Sequence, residues 1–163
     1  MSTPDQHAKP LDTLARLVAL VAAASLCAMV LILGWQVFGR YVLNASPGWT
    51  EPIALTLMSL SALSGAALGV RQETHFSFPT LLESLPAPAR RTLKTLSRLL
   101  ACAFGGALAY YGGTLMLDSW DVPLAGAPVP EGLSFAGLLV GGSLIAIFAI
   151  ERAVLGDPPA EHG

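Results

Sequence analysis

Arg40 and Glu51 stand near the two ends of the stretch RYVLNASPGWTEP, with Tyr41 after the first and Trp49 shortly before the second. A cation and an anion joined through a Pro47-Gly48 turn and flanked by amphipathic aromatics suit two kinds of chemistry. They can close on one another as an ion pair stapling a hairpin, a contribution of about 0–1 kcal/mol when exposed. Alternatively they form part of a surface that a partner reads. A second group, Asp118, Asp121 and Glu131, sits in the stretch DSWDVPLAGAPVPEG with no base among them. A third, Arg71 with Glu73 and His75, follows a long apolar run. None of these has the pattern of a reaction centre. No nucleophile stands beside a general base, and there is no glycine-rich phosphate loop or metal-ligand spacing. Cys27 and Cys102 lie inside apolar runs, where a thiol is a small apolar group. No catalytic, cofactor-binding or metal-ligating residue is assigned, and enzymatic activity is not expected.

The elements that must position these groups follow from composition. Of 163 residues, 53% are hydrophobic and 12% charged, against about 45–50% and about 25% in soluble domains. Windows free of Asp, Glu, Lys and Arg cover 17–39, 52–70, 99–117 and 132–150. Each holds close to the ~20 residues that carry a helix across a hydrocarbon core of about 30 Å. In lipid every backbone amide must be paired internally, so such windows are helices. The fold class expected is all-α: a single membrane domain over 1–163 with four transmembrane helices. The first window holds 23 uncharged residues, more than the ~7–15 of a secretory signal core, and Arg40 ends it as a stop would, so a span is expected there.

Basic residues near span ends stay cytoplasmic. Of the 9 Lys and Arg, all but Arg40 fall in the N-terminal tail (Lys9, Arg16), the segment 71–98 (Arg71, Arg90, Arg91, Lys94, Arg98) or the C-terminal tail (Arg152). Both termini and the 71–98 segment are therefore expected in the cytoplasm, with loops 40–51 and 118–131 outside. Between Pro79 and Pro86, Leu81, Leu82 and Leu85 suit a short interfacial helix between the second and third spans. Beyond it, Pro88 can open a helix whose leucines recur at three- and four-residue steps among basic residues, so the third span begins in the cytoplasm, beside anionic headgroups. Thr50 is a candidate helix cap, with Glu51 and Pro52 in the first turn.

Small residues recur at helical spacing: Gly65 with Gly69, Gly105 with Ala109 and Gly113, and Gly137 with Gly141. Such rows let backbones approach in lipid, either within the four helices or with a helix of a second subunit. The most informative feature of the spans is what they lack. Coupled transport calls for ionisable groups or broken helices at membrane depth, and haem binding for axial ligands. The windows contain no acid, base or histidine; His7, His75 and His162 all lie outside them. The chain is expected to be an auxiliary subunit. A self-sufficient four-helix protein, a small carrier or a redox-chain anchor, is the alternative.

The run FGRYVLNASPGWTEP, followed by a span ending GAALGVRQETHFSFPTLL, resembles the DctQ-like small membrane subunit of the tripartite ATP-independent periplasmic (TRAP) transporters, over nearly the whole chain. Arg40 and Tyr41, Trp49 and Glu51, and Arg71 and His75 match that family's motifs in order and spacing. Pro52 and Pro79 stand where the family often has acids, and the fourth span has no proline near Gly141. The resemblance implies a bacterial inner-membrane subunit that pairs with a large DctM-like permease carrying substrate and sodium, fed by a periplasmic DctP-like solute-binding protein. Its role would be to brace the permease and complete the docking surface for uptake of an organic acid. Membrane lipids are the other expected partner; nucleic acid is not one.

Overall fold

The computed structural model describes residues 8–45, 47–72, 87–124, 126–127 and 129–155. Helix α1 runs Ala8–Tyr41, α2 Thr50–Gln72, α3 Ala87–Asp118 and α4 Ala136–Leu155, with a 3-10 turn at Glu131–Phe135 ahead of α4. Each includes an apolar stretch able to cross a membrane: Leu11–Tyr41, Thr50–Gln72, Thr92–Asp118 and, joining the 3-10 turn to α4, Glu131–Val154. The chain is all-helical in its regular elements. The expected interfacial helix at 79–86 and the position of His75 lie outside the described residues.

The helices form because nothing within them competes with the i→i−4 ladder. Pro52 and Pro88 both fall in first turns, where an amide has no helical partner in any case. Two hydroxyls inside the spans turn back on their own helix: Thr56 donates to the Pro52 carbonyl at 2.9 Å and Ser143 to Leu139 at 2.7 Å. Ser61 is different. Its hydroxyl crosses to the Ala22 carbonyl of α1 at 3.1 Å and ties α1 to α2. The expectation of Thr50 as a cap is revised. Thr50 is already the first helical residue, and its hydroxyl donates backwards to Pro47 at 2.8 Å, so it braces the turn and leaves the helix amides to other acceptors.

The helices stand in a row. Helix α1 packs on α2, α2 on α4, and α4 on α3, while α1 and α3 form no comparable interface among the described residues. Consecutive helices run antiparallel and α2 runs parallel to α4, since Leu60 lies by Gly137, Leu63 by Gly141 and Arg71 by Glu151. The middle helices therefore bury most. A third of the apolar window of Glu131–Val154 is buried, 33%, against 11% for Leu11–Tyr41, whose surface faces outward.

Without a hydrophobic drive in lipid, the row depends on close backbone approach. Gly137 and Gly141 face α2: a side chain there would run into Ser59 and Leu63. Gly142, one residue on, faces α3, where an added Cβ would stand 2.6 Å from the Ala109 amide and 2.8 Å from the Gly105 carbonyl. Gly105 and Gly112 complete this second seam, whereas Gly113 makes only an ordinary contact with Leu139 at 3.5 Å. Gly69 is buried in α2. Gly65 has open space around it and faces away from the row. The core cluster, Ala15, Val18, Ala67, Ile145 and Phe148, gathers toward the end where α1 begins and α2 and α4 finish.

Candidate functional site

Two constellations stand at opposite ends of the row. At the end where α1 begins, Arg71 reaches three helices. Its guanidinium meets the Glu151 carboxylate side-on, Nε to Oε2 at 3.1 Å and Nη2 to Oε1 at 3.2 Å, and Nη2 also donates to Asp12 Oδ1 at 2.5 Å. The Glu151 side chain is only 5% exposed and Arg71 15%, while Asp12 is 55% exposed. The guanidinium also lies 5.6 Å from the centre of the Phe148 ring, within cation–π range. Arg152 donates from Nε to the Arg71 carbonyl at 2.5 Å. A bidentate arginine–carboxylate pair is the strong form of the interaction, and burial ties each partner to the other.

Arg71 was flagged by the sequence; Asp12 and Glu151 were not. Glu151 sits one residue past the fourth charge-free window, with no local motif to mark it. A signal was available: an anion near the C-terminus of α4 opposes the helix dipole and calls for a cation from elsewhere. Among the described residues, no group of three or more His, Cys, Asp and Glu could hold a metal ion.

At the other end the two loops meet. Asn44, at φ 55°, turns the chain after α1, a left-handed conformation that asparagine tolerates. In the second loop, Leu124 donates to Val129 and Glu131 to Val122, both at 2.8 Å, which brings residues 129–131 back alongside 122–124. Its tip, Gly126 at φ +82°, lies against Gly48 of the first loop so closely that an added Cβ would stand 2.6 Å from the Gly48 carbonyl carbon. Arg40, Tyr41, Trp49, Glu51, Asp118 and Asp121 are all exposed here. The structure places Arg40 and Glu51 at the same end, and no ion pair joins them among the described residues. Gly126→Ala forces a side chain into a left-handed position that costs about 1–2 kcal/mol and pushes the loops apart. The expected result is greater iodide quenching of Trp49 and Trp120 fluorescence with helix content by circular dichroism unchanged.

An all-α protein with four helices long and apolar enough to cross a membrane, and with the ion pairs of its described residues gathered at one end, is a multi-pass membrane protein. Residues 29–157 match the family model of the tripartite ATP-independent periplasmic transporters, DctQ component, and the chain belongs to that family. It is the small permease component of a TRAP transporter. The chain is also 25% identical, over 93 residues, to the sialic acid TRAP transporter small permease protein SiaQ of Vibrio cholerae serotype O1. That match takes in 57% of this chain and 54% of the relative, so it spans about half the length of the curated protein.

Proposed function

We propose that this chain braces a large DctM-like permease subunit of a sodium-coupled secondary transporter and helps a periplasmic DctP-like binding protein dock, for uptake of an organic acid across the bacterial inner membrane. The observation that carries this reading is where the charge lies. The apolar windows hold no acid, base or histidine, and among the described residues the most deeply buried charged side chain, Glu151, is already committed to Arg71. A travelling anion or sodium ion finds no charged partner within the apolar windows of this chain, so the solute path is assigned to a partner. The relative's name speaks of sialic acid, which agrees with an acidic solute without naming the one carried here.

In this reading both termini and the Arg71 cluster face the cytoplasm, an orientation supported by the placement of eight of the 9 basic residues. The two-loop face with Arg40, Tyr41, Trp49, Glu51, Asp118 and Asp121 is then periplasmic and available to the binding protein. The little-buried surface of α1 and the open side of Gly65 are the faces offered to the large subunit or to lipid. Co-purification tests the pairing. Tagged chain carries the large permease through detergent extraction and size exclusion, and Arg40→Glu weakens the complex or its uptake at least severalfold. A chain that elutes alone from membranes rich in both subunits would refute the pairing.

A further inference from the structure

Beside the Arg71 cluster, on the outer side of the seam between α1 and α2, lies a pocket of about 320 Å³. This is at the lower end of the ~300–1,000 Å³ typical of small-molecule sites. Its walls change character along the helix axes. Asp12, Arg71 and Gln72 line the end nearest the helix termini, Ala15 and Arg16 stand a turn further in, and Ala19 of α1 and Leu68 of α2 line it toward the middle of the membrane. A pocket polar at the interface and apolar below it fits an amphiphile.

Among the described residues, the uncommitted cation at its mouth is Arg16. Arg71 is compensated by Glu151 behind it and by Asp12 beside it. Asp12 lies one helical turn before Arg16, where it would otherwise pair with it, but its carboxylate is turned to Arg71. Arg16 is exposed and has no ion pair among the described residues. Below it, Leu17 and Leu20 present 54% and 66% of their surface outward, a path for an acyl chain against α1. An exposed arginine with no acid partner of its own, set between transmembrane helices at the membrane surface, suits an anionic lipid headgroup.

We propose that this pocket holds the phosphodiester of an anionic phospholipid, with Arg16 as the direct cationic contact, Gln72 as a neutral donor and the alanine-lined floor receiving the first methylenes. A free phosphate would use the same cation but gain nothing from Ala15, Ala19 and Leu68, so the lipid is the favoured source. The inference rests on the membrane-spanning fold and not on the transport role.

Native mass spectrometry of the full chain, released from detergent with phosphatidylglycerol, phosphatidylcholine or inorganic phosphate, reads this directly. Phosphatidylglycerol is retained in preference to phosphatidylcholine, and millimolar inorganic phosphate does not displace it. Arg16→Gln lowers that retention about fivefold, the effect of one basic residue on an anionic headgroup. Arg90→Gln, which removes an equal charge at the exposed start of α3, leaves it within about twofold. Ala19→Phe keeps every charge, fills the floor and abolishes retention, with helix content by circular dichroism reporting that the variant is folded. Equal losses from Arg16→Gln and Arg90→Gln would reduce the effect to general surface attraction and overturn the proposal. So would undiminished retention by Ala19→Phe, or displacement by inorganic phosphate.

Discussion

Glu151→Leu lowers the stability of the chain by about 1.5–3 kcal/mol, the range for losing a hydrogen bond to a charged group, here one that retains a second, exposed acid partner. Arg71 would keep the exposed Asp12 but lose the carboxylate that meets it side-on at 3.1 and 3.2 Å. Because that pair joins the ends of α2 and α4, and Asp12 links them to α1, the loss spreads over three helices. The double variant Arg71→Leu with Glu151→Leu recovers most of the loss, since replacing a buried pair by apolar groups is often neutral or better. Thermal unfolding in detergent or nanodiscs, followed by circular dichroism, measures both. A single variant as stable as the parent would show that Glu151 is solvated and the cluster is ornamental.

Gly142→Leu is expected to be comparably damaging for a steric reason. The new side chain would start 2.6 Å from the Ala109 amide and 2.8 Å from the Gly105 carbonyl, and both are backbone atoms that cannot swing aside. The α3–α4 seam must open, at or above the ~1–3 kcal/mol typical of overpacked sites. Gly106→Leu is the matched control. Gly106 has nothing within 4 Å of an added Cβ, and leucine favours a helix by up to about 1 kcal/mol over glycine. It should be neutral or mildly stabilising in the isolated chain. Equal thermal shifts for the two variants would mean that the seam is not as close as drawn.

These contrasts show what sequence could and could not reveal. The four spans were legible because a charge-free run of about twenty residues has few other fates. The continuous entry into α3 was legible too, since Pro88 and the leucine steps after it mark a helix start. Which glycine of a neighbouring pair faces which helix was not. Successive residues on a helix point about 100° apart, so Gly141 serves α2 while Gly142 serves α3, and only the packing fixes that phase. The row of Gly105, Ala109 and Gly113 likewise had the right spacing, yet the close contact at its far end falls to Gly112.

The Arg71 cluster escaped for another reason. Arg71 and Glu151 are 80 positions apart, and no local pattern couples them. Counting only basic residues to orient the chain also drew attention to Arg152 and away from the acid beside it. The meeting of Gly48 with Gly126 is equally remote in sequence, although the Pro47-Gly48 turn marked where one of the two loops would bend.

Vesicle uptake bears most directly on the proposal that the solute path lies on a partner subunit. Liposomes are prepared with this chain alone, with the large permease alone, and with both, and each is supplied with binding protein, labelled organic acid and an inward sodium gradient. Accumulation is expected only where both membrane subunits are present, with the Glu151→Leu and Gly142→Leu variants reducing it in proportion to their loss of stability. Concentrative uptake by vesicles that contain this chain and no other membrane protein would contradict the bracing role.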